Sequence, residues 1–144
     1  MQIENAMNGE ISSRIALEVR VTDLNYGNHL SNNAILGYFH QGRVALLAGL
    51  GLSEQDIGGA GLIMRRCQLD FLAEGFLFDR LQLETGMGMH GRAQCRFGYR
   101  LMKGDDETEL ARGITDMAFF DYSRHQLVRP PANLVKTLGS FKQD

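Results

Sequence analysis

Between Ala34 and Leu50 the chain places Ile35, Leu36, Phe39, Val44, Leu46, Leu47 and Leu50, which at helical spacing point around much of a cylinder instead of along one stripe. A helix that is apolar on several sides has to be covered on several sides, and a curved sheet that cradles it meets that requirement. Gly37 and Gly42 each cost an isolated helix about 1 kcal/mol relative to Ala, so tertiary packing must hold this one together. Ala34, Gly37, Gln41, Ala45 and Ala48 form a stripe of mostly small residues, the side on which another backbone can come close.

The flanking segments supply the sheet. From Ile15 to Val21 the pattern alternates, with Ile15, Leu17, Val19 and Val21 on one face and Ala16, Glu18 and Arg20 on the other, as in a half-buried strand. Residues 1 to 13 are polar and aperiodic and read as a loose lead-in. Past the glycine-rich connection from Leu52 to Gly61, three more alternating runs follow at the spacing of an antiparallel meander. Their faces are Ile63, Cys67, Leu69 and Phe71, with Arg65 an exception; Leu81, Leu83, Thr85, Met87 and Met89; and Ala93, Cys95, Phe97, Tyr99 and Leu101. Lys103-Gly104-Asp105-Asp106 turns the chain into a last strand, Glu109 to Tyr122, whose Ala118, Phe119 and Phe120 suit burial on both faces. After Pro130-Pro131 a short helix carries Leu134, Val135, Leu138 and Phe141 on one side. One helix among five strands cannot be an alternating parallel arrangement, which needs a helix after each strand. The fold class is therefore α+β with a five-stranded antiparallel sheet, one domain over residues 1–144.

Composition removes several functions. Fifteen Lys and Arg against 17 Asp and Glu leave a net charge of −2, which fits neither a disordered tail nor a nucleic-acid binder. The longest apolar run, Val44 to Leu52, is about half of what a membrane-spanning helix needs. The first residues, Met1-Gln2-Ile3-Glu4-Asn5, lack the basic patch and apolar run of a signal peptide, so the expected compartment is the cytoplasm. Cys67 and Cys95, far apart and without Cys-x-x-Cys spacing, are expected as reduced, mostly buried thiols without chemistry. The four histidines show no ligand spacing, so no metal site is expected, and no cofactor.

Gly86-Met87-Gly88-Met89-His90-Gly91 matches a dinucleotide-binding pattern, but a strand follows it where that site needs a helix, so outward glycines and a hairpin turn are expected. Arg65 and Arg66 could bind phosphates, or simply stand solvated on an outward strand position. The segment from Asp23 to Asn33 is richer. It sets a carboxylate (Asp23), an imidazole (His29) and several amides before the amino end of a buried helix, where free N–H groups and a partial positive charge collect. Thioester chemistry uses those parts: donors for the carbonyl oxygen and a carboxylate to attack it or activate water. On the residues alone, Asp23 and the asparagines could equally serve to cap and brace the loop, with His29 packed inside.

Val19-Arg20-Val21-Thr22-Asp23-Leu24-Asn25-Tyr26-Gly27-Asn28-His29-Leu30-Ser31-Asn32-Asn33 and Gly37-Tyr38-Phe39-His40-Gln41-Gly42-Arg43 resemble the opening strand, loop and helix of hotdog-fold acyl thioesterases. That family includes 4-hydroxybenzoyl-CoA thioesterase-like proteins and plant acyl-ACP thioesterases. The resemblance implies a hotdog fold, with the curved sheet wrapped around the central helix, and a homodimer or dimer of dimers with sites between protomers. It further implies hydrolysis of an acyl-CoA or acyl-carrier-protein thioester, with no nucleic-acid or membrane partner. Asp23 then corresponds to the first Asp of the family loop, Asn25 to the second, His29 to its His and Asn32 to an Asn at the helix start. Many members use the second Asp as the catalytic carboxylate; here it is Asn25, which cannot act as base or nucleophile. His40 and Gln41 replace acidic residues common in the helix. The expected roles are Asp23 as base or nucleophile, Asn25 and His29 orienting water and substrate, and amides near Asn32 and Asn33, with Arg65 and Arg66, binding substrate. A silent acyl-thioester binder and a hotdog hydratase are the alternatives.

Overall fold

The central helix begins where Ser31 turns its hydroxyl onto the chain: Oγ accepts the Ala34 N–H at 3.0 Å, satisfying one of the free donors at the helix start. The structure, a computed structural model, describes residues 11–106 and 108–141. Most of the expected lead-in, residues 1 to 13, thus lies outside the described residues. In chain order the elements are β1 (Ser12–Glu18), a 3₁₀ turn (Val21–Asp23), α1 (Asn32–Gly49), β2 (Gly61–Phe71), β3 (Arg80–His90), β4 (Gln94–Lys103), β5 (Glu109–Asp121), β6 (Gln126–Leu127) and α2 (Ala132–Leu138). The fold class is α+β, as expected: an antiparallel, open, curved sheet with a long helix and a short C-terminal one.

The strands run β1-β3-β4-β5-β2, with the two-residue β6 on the end of β5. Among the five long strands, consecutive hairpins join β3, β4 and β5. Strand β2 was expected inside that meander; instead the loop after it crosses the molecule, so that β2 edges the sheet beside β5 and β1 edges it beside β3. Strand β1 also ends earlier than expected. Val19 is buried, but the chain then enters the 3₁₀ turn and Val21 is 70% exposed.

Arg65 broke the alternation of β2 because the pairing with β5 shifts between Met64 and Arg66. Such a bulge inserts one residue and swaps the faces on either side of it. Leu62 and Met64 consequently share a face with Cys67 and Leu69, and Ile63 turns to the other. Helix α1 packs over β1, β3 and β4; on this face of β2 Leu62 is buried, but Met64 and Cys67 stay exposed, against expectation for Cys67, while Cys95 is buried. The helix is likewise covered on one broad side only. Ile35, Phe39, Leu46 and Leu47 are buried, whereas Leu36 and Val44 are exposed. In α2, Leu134 and Leu138 are buried but Val135 faces solvent.

A polar chain pins the helix to the sheet from inside. Arg43, itself buried, donates to Glu54 at 2.6 Å and to the Tyr99 hydroxyl at 3.1 Å, and that hydroxyl lies 2.6 Å from Thr115 Oγ1. Tyr99 in turn stacks on Phe39 with ring centroids 4.5 Å apart. On β3, a side chain at Gly88 would meet the Phe141 backbone at 2.6 Å, so this glycine lets the C-terminal segment dock beside Met89. Gly91, at φ 67°, makes the hairpin turn into β4. The glycine-rich motif is used for packing and turning.

The close approach foreseen for the small-residue stripe occurs one helix face away. A Cβ on Gly42 would sit 2.5 Å from Thr85 Oγ1 and 2.8 Å from Leu83 Cδ2, whereas one on Gly37 would meet nothing within 4 Å. Opposite effects are therefore expected in thermal melts. Gly37→Ala raises stability by about 0.5–1 kcal/mol through helix propensity, and Gly42→Leu lowers it by about 1–3 kcal/mol through overpacking. Equal melting shifts for the two would contradict this packing.

Candidate active site

The loop between β1 and α1 is built around Asp23. Its carboxylate accepts four hydrogen bonds: from the Arg20 N–H at 3.0 Å, from Arg20 Nε and Nη2 at 3.3 Å each, and from the Tyr38 hydroxyl at 2.7 Å. The Asp23 carbonyl accepts the Ser31 N–H at 2.9 Å. Asp23 is buried, and burial alone would raise its pKa, but the bonds from Arg20 and Tyr38 outweigh that and hold the carboxyl below the usual carboxylate range. Burial and the same carboxylate push the Tyr38 hydroxyl well above the usual phenol range. Both oxygens of Asp23 are thus engaged, and the charge is shared with a guanidinium.

Asn25 holds the next turn. Its Oδ1 accepts the N–H groups of Gly27 and His29 at 3.0 and 3.3 Å, and its own N–H donates to the His29 carbonyl at 2.9 Å. His29 emerges half-buried, with Nδ1 3.7 Å from Glu74 Oε1 and its ring edge-on to Phe76. Main-chain contacts fix that encounter: Leu30 donates to the Gly75 carbonyl at 2.8 Å, and His29 bridges to Phe76. A Cβ on Gly27 would stand 3.0 Å from His29 Nε2, so the bare glycine leaves that nitrogen room. The Ser31 cap engages the Ala34 amide and not those of Asn32 and Asn33, whose side chains are exposed.

The structure brings Asp23, Asn25 and His29 into one loop beside the helix start at Asn32 and Asn33. Arg65 and Arg66 stand apart. Both are exposed on β2, Arg66 opposite Asp116 with Nη2 3.5 Å from Gln68 Oε1, and neither touches the loop. His40 pairs with Glu54 at 3.3 Å. Three partners were not foreseen. Arg20 and Tyr38 lie within the quoted motif, but only folding shows that both turn onto Asp23. Glu74 lies 45 residues beyond His29 in sequence, with no local pattern to connect them. Among the described residues, no three His, Cys, Asp or Glu side chains gather closely enough to hold a metal ion, and no helix is long and apolar enough to cross a membrane.

The thioesterase-like superfamily matches residues 19–138, from the end of β1 to the end of α2. The chain belongs to this superfamily. Curated protein sequences yield no match. Solved structures share the fold at low identity. A 1,4-dihydroxy-2-naphthoyl-CoA thioesterase from Synechocystis is 19% identical, with a TM-score of 0.78 over 88% of this chain and 93% of its own. A DHNA-CoA thioesterase from Staphylococcus aureus is 14% identical, with a TM-score of 0.73 over 82% and 80%. The 12:0-ACP thioesterase from Umbellularia californica is 13% identical, with a TM-score of 0.77; it matches over 86% of this chain but only 48% of its own length. At these identities the likeness shows that this superfamily member has their hotdog architecture.

The hydrogen bonds on Asp23 carry a pH signature. A carboxyl held low in the folded state contributes stability that is present above its unfolded pKa, about 3.9, and is lost as pH falls through the folded value. Asp23→Asn is expected to lower stability by about 1–3 kcal/mol at pH 7, and the gap to wild type should close below about pH 4. Denaturant melts at pH 7 and pH 3 test this; a gap that persists undiminished at pH 3 would place the stabilisation elsewhere.

Proposed function

We propose that this thioesterase-like protein hydrolyses an acyl thioester of CoA or a carrier protein, with His29 as general base and Asp23 as the brace of its loop. The pairing of the His29 imidazole with the Glu74 carboxylate carries this reading. A water proton passes to His29 Nε2 as the water oxygen attacks the thioester carbonyl, and the imidazolium then protonates the departing thiolate. Glu74 Oε1 stands 3.7 Å from Nδ1, the ring nitrogen opposite the one assigned to the water, and catalytic contacts of this kind often tighten only once substrate is bound. In this reading Asn25, which fixes the His29 backbone, offers its NH₂ group, and the amides of Asn32 and Asn33 polarise the carbonyl oxygen. Asp23, sharing its charge with Arg20 and Tyr38, is a poor base and a good anchor.

The test is thiol release from a panel of acyl-CoAs, acetyl to palmitoyl and aromatic, followed by variants on the best substrate. His29→Ala is expected to lose about 100-fold or more in kcat/KM, and Glu74→Gln about tenfold. Asp23→Asn, assayed below its melting range, should stay within about threefold. A loss above about 100-fold in Asp23→Asn at unchanged melting would return the base to Asp23. No turnover in wild type, with tight acyl-CoA binding, would favour the silent binder that Asn25 suggests.

We also propose a homodimer joined along β2. That strand has a free edge, and around it Met64, Phe71 and Leu72 are 41%, 45% and 49% exposed, apolar area that a second copy would bury. Light scattering should give twice the 16.1 kDa chain mass, and Cys67 should resist iodoacetamide until the dimer dissociates. A folded monomer with a freely labelled Cys67 would overturn this arrangement.

A further inference from the structure

Glu74 and Phe76 reach His29 on the loop that crosses from β2 to β3, and that loop enters β3 through a tight turn. The Asp79 N–H donates to the Phe76 carbonyl at 3.0 Å, and the Phe76 N–H donates back to Asp79 Oδ2 at 2.9 Å. Phe78, third in the turn, has φ 69°, a conformation that favours glycine, and its ring is 69% exposed. Its own backbone preference does not favour this turn, so the surroundings impose it. Val19 supplies one part, donating to the Asp79 carbonyl and accepting from the Phe78 N–H, both at 3.0 Å.

Lys103 supplies another. It closes β4, which lies between β3 and β5, and its N–H donates to the Thr108 carbonyl at 2.8 Å. Its Nζ stands 3.6 Å from Asp79 Oδ2, the oxygen that accepts the Phe76 N–H, and 5.4 Å from the centroid of the Phe76 ring. An ammonium over an aromatic face is attracted to it. The same ring meets His29 edge-on, 6.1 Å away at 73°. One cation on an inner strand thus holds Phe76 twice, by its main chain through Asp79 and by its ring, and the ring borders the imidazole. A partly exposed ion pair of this kind adds little to stability, so its effect is to be sought in orientation. We propose that Lys103 is a positioning residue for His29: through Asp79 and Phe76 it fixes the ring against which the imidazole is oriented toward Glu74. The catalytic consequence rests on the reading of His29 as general base; the orientation rests on these contacts alone.

Lys103→Met keeps most of the side-chain length without the charge, and Lys103→Arg keeps a cation able to make both contacts. Each is read in two ways: by kcat and KM on the best acyl-CoA of the panel, and by the carbon-bound imidazole proton resonances of His29. Those resonances are assigned by their loss in His29→Ala, and the neighbouring phenyl ring shifts them. Phe76→Leu marks where they fall without the ring. Lys103→Met should move them toward that position and lower kcat about tenfold, with KM within about twofold. Its melting temperature should change by no more than about 4 °C. Lys103→Arg should restore the resonances, and kcat to within about threefold of wild type. If wild type hydrolyses nothing, or His29→Ala is as active as wild type, the catalytic reading fails and the resonances alone decide the orientation. His29 resonances that stay in place in Phe76→Leu or in Lys103→Met overturn the proposal. So does a shift without loss of kcat in an enzyme that needs His29, or a failure of Lys103→Arg to restore the shift. If Lys103→Met does not fold, Asp79→Asn takes its place with the same expectations, since it keeps an oxygen for the Phe76 N–H and removes the charge that draws the ammonium.

Discussion

A buried carboxylate at residue 23 joins three parts of the chain that would otherwise move independently. It takes the main chain and guanidinium of Arg20 at the end of β1 and the hydroxyl of Tyr38 inside α1, while its own carbonyl receives the helix-capping residue Ser31. A buried charge is costly unless every oxygen is engaged, so once formed this set is held all together or not at all. It sets the turn that ends β1, the entry of α1, and hence the loop of Asn25 and His29 between them.

The helix so anchored is tied to the sheet by two different means. Gly42 lets its backbone settle onto Thr85 and Leu83, and Arg43 reaches through the interior to Glu54 and Tyr99. Arg43 is also two-sidedly satisfied, which makes a buried guanidinium tolerable in an apolar core. With α1 drawn toward β1, β3 and β4, the far edge of the sheet at β2 stays bare. The apolar area there follows from where the helix lies.

The proposed chemistry would draw on contacts across the chain. A histidine in a loop gains a defined ring orientation when a carboxylate stands near one of its nitrogens, as Glu74 does at 3.7 Å from Nδ1. The crossing loop from β2 to β3 supplies that carboxylate as Glu74, and Leu30 and His29 fasten the loop by main-chain bonds. Placement of the acid therefore depends on strand order.

Much was legible locally. The period-two runs of β1, β3 and β4 and the apolar helix between strands were enough for an antiparallel α+β fold, because burial forces those periods on the chain. The cluster from Asp23 to Asn33 stood out because so many side chains able to bond their own backbone rarely gather outside a structured loop. What lay beyond reach was long-range. The bulge at Arg65 reversed the faces of β2, and the uncovered edge left Cys67 exposed; neither is encoded in the alternation of a single strand. Between base and brace the sequence left Asp23 open, since nothing local shows that Tyr38, 15 residues on, turns its hydroxyl onto it. Periodicity determines which side chains must be buried, but which polar groups meet inside, as Arg20 and Tyr38 meet Asp23, is decided by the packing of elements distant in sequence.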